Sequence, residues 1–129
     1  LLSEINSTEI ELIRLVTPTT DKKRLQTILK NASGFLYYVT ITGITGQKAV
    51  DVKSLKNSIK KIKKHTNIPI VAGFGIKNEK HVQDVCKICN GAVVGSSIIN
   101  IIEKNLGDID KMIGHVSDFV IRLKKGVKK

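Results

Sequence analysis

Apolar residues along this chain come in short runs rich in β-branched side chains, and after each run the spacing changes to that of a one-sided helix. A strand covered on both faces reads as a continuous apolar run, whereas the helix that covers it shows a single apolar stripe. The alternation therefore predicts βα units around a parallel sheet. The first run, 11–16, ends in Thr17-Pro18-Thr19-Thr20, where Pro18 halts the strand and a Thr is expected to cap the next helix. That helix, 21–31, carries Leu25, Ile28 and Leu29 at i, i+3 and i+4, with Gly34 beyond it as a stop. A second strand, 35–41, leads into the glycine-bearing loop 42–47. The helix after it sets Val52, Leu55, Ile59 and Ile62 on one stripe, with its lysines on the solvated side.

The second half repeats the pattern. Asn67-Ile68-Pro69 turns the chain into a third strand, 70–72, which ends in Gly73-Phe74-Gly75-Ile76 before a helix over 78–89. A fourth strand, 92–94, ends in Gly95-Ser96-Ser97 and opens into a helical run over 98–105. After Gly107 a last helix, 108–124, is expected to bury Met112, Val116, Phe119 and Val120. Residues 1–6 read as the tail of a helix from an earlier unit. Four βα units result, entered in mid-architecture.

At 129 residues the chain suffices for one core, whereas a closed (β/α)8 barrel takes about 250 residues. The expected fold is thus α/β, the C-terminal half (about four βα units) of a TIM (β/α)8 barrel, with 1–129 as a single partial domain. The chain opens Leu1-Leu2-Ser3 without Met, which leads to the expectation of further sequence upstream. No secretory signal and no apolar run near the roughly 18 residues of a membrane span are visible, and neither is a set of cysteines able to brace the fold; a cytoplasmic location is expected.

The net charge of +11 raises the question of a polyanionic partner. Lysine is spread over several helices and the tail, and no exposed aromatics are interleaved for base stacking. Neither a nucleic-acid partner nor a membrane partner is therefore expected.

Candidate chemistry sits at two strand ends, Gly73-Phe74-Gly75 and Gly95-Ser96. Glycine lets a ligand approach the backbone closely, and the free N–H groups of a helix start favour an anion. Each glycine by itself is explained equally well by a tight βα turn. Two of them one unit apart, the second opening a short helix, describe a phosphate cradle at the strand C-termini. The pair Cys86 and Cys89 falls on the helical stripe of Val82 and Val85, which points to core packing; no second ligand pair is present, and no metal is expected. His65, His81 and His115 lie apart along the chain, and His65 suits a helix C-terminus.

The more specific segment is Tyr37-Tyr38-Val39-Thr40-Ile41-Thr42-Gly43-Ile44-Thr45-Gly46. A paired-Tyr strand running into a T-G-x-T-G loop resembles the sixth strand and mobile sixth loop of tryptophan synthase alpha subunits. Thr17-Pro18-Thr19-Thr20, Ala32-Ser33-Gly34-Phe35, Ala72-Gly73-Phe74-Gly75-Ile76 and Val94-Gly95-Ser96-Ser97-Ile98 follow the same order. The resemblance implies a lyase of tryptophan biosynthesis that splits indole-3-glycerol phosphate into indole and glyceraldehyde 3-phosphate, with no cofactor of its own. Indole would pass to a beta subunit that holds pyridoxal phosphate.

It also implies roles by position. Gly46, Gly75, Gly95 and Ser96 would hold the substrate phosphate, and Phe74 and Val93 would line the pocket. Tyr37 would hydrogen-bond near a catalytic carboxylate, and Thr45 would be the lid residue that closes over the site and orients that carboxylate. The family's catalytic Glu and Asp belong to the first half of the barrel and have no counterpart here, so no catalytic residue is expected in this chain. Asp51, the carboxylate next to the lid motif, reads as a helix cap. Alone, the chain is expected to bind without catalysing; its missing partner is an N-terminal half-barrel. Another phosphate-binding barrel, such as a thiamine-phosphate or indole-glycerol-phosphate synthase, accounts for the glycine turns but not for the Tyr pair and T-G-x-T-G. A non-catalytic half-barrel that binds a phosphate ligand or a protein is the remaining alternative.

Overall fold

The computed structural model describes residues 8–39, 52–73 and 75–127. Its elements, in chain order, are strand β1 (Arg14–Val16), helix α1 (Lys22–Lys30), β2 (Leu36–Val39), α2 (Val52–Lys63), β3 (Ile70–Gly73), α3 (Glu79–Cys86), β4 (Gly91–Val93), α4 (Ser96–Glu103) and α5 (Ile109–Lys124). The strands lie side by side in the order β1-β2-β3-β4, each parallel to the next. Parallel neighbours cannot be joined by a hairpin, so each step needs a crossover, and α1, α2 and α3 provide the three.

Several boundaries differ from those expected, each for a local reason. The cap of α1 is Asp21, whose carboxylate accepts from the Arg24 N–H at 2.8 Å, and not a Thr. Thr17 and Thr20 instead close the preceding turn on each other: the Thr20 N–H bonds the Thr17 carbonyl at 3.0 Å, and the Thr17 N–H bonds the Thr20 hydroxyl at 3.0 Å. Gly34, with φ +61, serves the turn into β2 and does not stop α1, which ends at Lys30. Helix α3 stops at Cys86; the Ile88 N–H bonds the Val85 carbonyl at the i→i−3 spacing of a tighter turn, and by Asn90 the chain has left the helix, its N–H bonding the Ile70 carbonyl at 2.7 Å. Strand β1 begins at Arg14, β4 spans Gly91–Val93, and α4 starts at Ser96. The expected helical tail 1–6, the end of the second strand at 40–41 and the cap at Asp51 lie outside the described residues.

Strand alternation and register together divide the side chains between two faces. Val16 stands beside Tyr38, Leu36 beside Ile70, and Tyr38 beside Ala72; all five are buried, in one cluster with Leu25, Leu55, Ile59, Ile62, Val82, Val85, Phe119 and Leu123 from the helices. Burying side chains such as Leu36, Ile59 and Ile70 stabilises the fold by about 1.5–3 kcal/mol each. The helix layer therefore covers one face only. The other face carries Leu15, Tyr37, Val39, Val71 and Val93, none fully buried, with Leu15 61% exposed.

Toward the C-terminus, the expected apolar face of α5 holds for Phe119 and in part for Met112 and Val116, but Val120 is exposed and Leu123 takes the buried place. From Phe119, Leu123 lies one turn on along the same stripe, whereas Val120 is rotated about 100° away. Cys89 is buried and Cys86 half-buried, as a core stripe requires, although Cys89 sits in the turn after α3. No helix among the described residues is long and apolar enough to cross a membrane.

Candidate phosphate-binding site

At the C-terminal ends of the strands, Val39, Gly73 and Val93 form one lateral row on the uncovered face. Tyr37, one pleat earlier on the same face, reaches forward over Gly73. A Cβ built on Gly73 would overlap the Tyr37 hydroxyl and lie 2.6 Å from its Cζ. Glycine at 73 therefore serves the phenol, which needs the volume a side chain would take. That is a different role from the ligand approach expected of this glycine.

Beyond β3 the chain turns at Gly75, which is exposed with φ +39, a conformation that costs other residues about 1–2 kcal/mol. Among the described residues, chain neighbours aside, nothing lies within 4 Å of where its Cβ would be. The turn is anchored by Ile76, 2% exposed in the core.

After β4, Gly95 is the N-cap of α4. The first turn has no side-chain cap and no acidic residue. Gly95 offers its carbonyl to the N–H groups of Ile98 at 2.9 Å and Ile99 at 3.2 Å, so the Ser96 and Ser97 amides precede the first intrahelical bond. The contrast with α1, α3 and α5 is informative: Asp21, Asn78 and Asp108 cap those helices from their side chains. At α4 the N-cap supplies no such side-chain bond, and a helix start of this kind favours an anion.

The two glycine turns are tied together. The Ser97 hydroxyl donates to the Ile76 carbonyl at 2.6 Å, across 21 positions of sequence. Ser97 was not among the residues singled out from sequence, although the second serine of Gly95-Ser96-Ser97 was the signal available. The structure thus brings Gly75, Gly95 and Ser96 to one end of the sheet and Tyr37 and Val93 to its uncovered face. Thr45, Gly46 and Phe74 lie outside the described residues.

Burial pushes the Cys89 thiol up to about 11, a rise that Lys63 moderates and Cys86 reinforces, and burial also raises Cys86. Tyr38, on the helix-covered face, is raised by burial against the hydrogen bond from Ser58. No group of His, Cys, Asp and Glu suited to a metal ion occurs among the described residues.

With this geometry in view, the comparisons with known proteins are decisive. A family model described as tryptophan synthase alpha chain matches residues 1–128. The chain belongs to that family. A tryptophan synthase alpha chain from Methanocaldococcus jannaschii is 46% identical over 99 residues, 77% of this chain and 35% of that protein. Tryptophan synthase subunit alpha from Campylobacter jejuni superposes with a TM-score of 0.75 at 36% identity, covering 92% of this chain and 47% of that one. A Mycobacterium tuberculosis tryptophan synthase structure shares the fold, with a TM-score of 0.81 at 20% identity over 99% of this chain and 46% of that one. The chain therefore spans less than half the length of these relatives. Its four parallel strands are half of the family's barrel, and the uncovered face of the sheet is that barrel's interior.

Proposed function

We propose that this chain is the phosphate-holding half of a lyase that cleaves indole-3-glycerol phosphate to indole and glyceraldehyde 3-phosphate. The observation that carries this reading is the uncapped start of α4, held beside the positive-φ turn at Gly75 by the Ser97–Ile76 hydrogen bond. In this reading the amides of Gly75, Gly95 and Ser96 grip the phosphate, with Gly46 joining them from the loop. Tyr37, Phe74 and Val93 line the pocket, and Thr45 closes the lid. Binding energy spent on a phosphate remote from the cleaved bond positions the reacting end of the substrate.

The proton transfers fall to a Glu and an Asp of an N-terminal half-barrel, whose strands would also cover Leu15, Val39 and Val71. The chain alone binds without turnover, and the completed barrel hands indole to a beta subunit that carries pyridoxal phosphate. Titration of the 15N-labelled chain with inorganic phosphate tests the site. Shifts at the Gly75, Gly95 and Ser96 amides are expected, and Gly95→Asp should abolish them by placing a side chain and a negative charge among the donors. Amides that stay in place would overturn the reading.

A further inference from the structure

Helix α5 carries more apolar surface than its own chain covers. Ile109, Ile113, Val116, Val120 and Leu123 follow one another at alternating spacings of four and three residues, which draws one continuous stripe along a helix. One margin of the stripe is used: Leu123 is buried, and Phe119 and the half-buried Met112 extend that margin into the core. The other margin is bare, with Ile109 66%, Ile113 60% and Val120 38% exposed. At about 100° per residue these three share a sector roughly 40° wide, turned about 80° from the buried line, and no charged residue falls within it. A contiguous aliphatic row of this kind marks an interaction surface.

Its place in the fold says what covers it. Helix α5 packs against α3 and α4, and β4 ends the sheet, so α5 stands at one end of the helix layer. In a closed (β/α)8 barrel the helices form a ring around the strands. The helix after the last strand is then the neighbour of the helix after the first strand, and that first strand belongs to the half of the barrel that this chain lacks. The opposite end of the layer, α1, is of another kind. Lys22, Lys23, Arg24 and Lys30 are exposed there, and the helix has no acidic residue. A second copy of this chain closing the ring would set the α5 stripe against that basic helix, so that charges would lose water to apolar surface. The stripe needs a helix with an uncharged face, which a second copy does not supply at that position.

We propose that the bare stripe of α5 receives the first helix of the N-terminal half-barrel, and that this helix carries an uncharged aliphatic stripe of its own. The two halves then meet along a helix–helix seam as well as through the barrel interior. This inference rests on the N-terminal partner named in the proposed function, but not on the phosphate site or the lyase chemistry.

The test compares the isolated chain with a chimera that joins the N-terminal half of the Methanocaldococcus jannaschii alpha chain to residues 1–129. Ile113→Cys and, as a control, Ile121→Cys are made in both; Ile121 is equally an exposed isoleucine of α5 but lies off the stripe. Each is labelled with iodoacetamide, and mass spectrometry separates the label from Cys86 and Cys89. The Ile113→Cys thiol should react at least about tenfold more slowly in the chimera than in the isolated chain, whereas the Ile121→Cys thiol should change by less than about twofold. Equal reactivity of Ile113→Cys in the two proteins would overturn the proposal, as would equal slowing at Ile121→Cys. Protection already present in the isolated chain and lost on dilution would assign the stripe to a second copy and overturn it too. Turnover of indole-3-glycerol phosphate by the chimera is scored separately: an active chimera with an open stripe sinks this inference alone, and a shielded stripe without turnover sinks the lyase reading alone.

Discussion

The Tyr37 phenol occupies the volume that any side chain at position 73 would fill. Gly73→Ala should therefore force the ring aside or push β2 and β3 apart, at a cost of about 1–3 kcal/mol. Urea unfolding of Gly73→Ala, Tyr37→Leu and the double variant checks this. The double variant should recover most of the loss at 73, because the smaller residue vacates the contested space. Additive losses would mean that the two residues are not coupled.

Ser97→Ala removes the only side-chain hydrogen bond described between the two glycine turns, which leaves the Ile76 carbonyl without that donor. A loss of about 1 kcal/mol in stability is expected. Phosphate affinity should fall about three- to tenfold, because the donors of Gly75 and Ser96 are no longer held in one geometry. Ser97→Thr, which keeps the hydroxyl, should retain most of both. Phosphate titration and urea unfolding of the two variants provide the check.

Cys89 sets a pH dependence. Its thiol is raised from 9.0 to about 11 in the fold, so between those values the unfolded chain gives up the proton while the native chain keeps it. The stabilising contribution is fully present below the unfolded pKa and is lost as pH rises through the folded one, up to about 3 kcal/mol in all. Cys89→Ala should be less stable near neutral pH yet show a shallower alkaline decline in pH-dependent unfolding. Near neutral pH both thiols of the wild-type chain should react slowly with a thiol reagent, and elemental analysis should find no stoichiometric zinc.

The uncovered sheet face leads to an expectation for assembly. Leu15 is 61% exposed, and β1 and β4 have no strand beyond them among the described residues. Bare strand edges and an apolar face favour association. Sedimentation of the isolated chain should show species larger than a monomer, and a supplied N-terminal half-barrel should convert them to a one-to-one complex. Indole-3-glycerol phosphate cleavage should be absent from the chain alone and appear in that complex. A compact, stable monomer would contradict the structural part, and turnover by the chain alone would contradict the mechanistic part.

By itself the sequence determined the order of strands and helices, the parallel sheet, and the two glycine turns at strand ends. These follow from periodicity and from glycine and proline punctuation, which act over a few residues. Neighbours on a strand face opposite ways, so Tyr37 and Tyr38 part to the two faces of the sheet. Which of the two faces the helices depends on register with β1 and β3 and on where α2 packs. Contacts across long stretches of sequence were decided by tertiary structure alone: Tyr37 over Gly73, and Ser97 on the Ile76 carbonyl. The ends of elements turn instead on local competition that periodicity does not rank. Asp21 takes the cap that a Thr was expected to fill because Thr17 and Thr20 are engaged with each other, and α3 stops at Cys86 because the chain must turn back toward β4. The Tyr37–Gly73 and Ser97–Ile76 contacts depend on a volume or a donor shared between groups far apart in sequence, and only the folded chain brings such groups together.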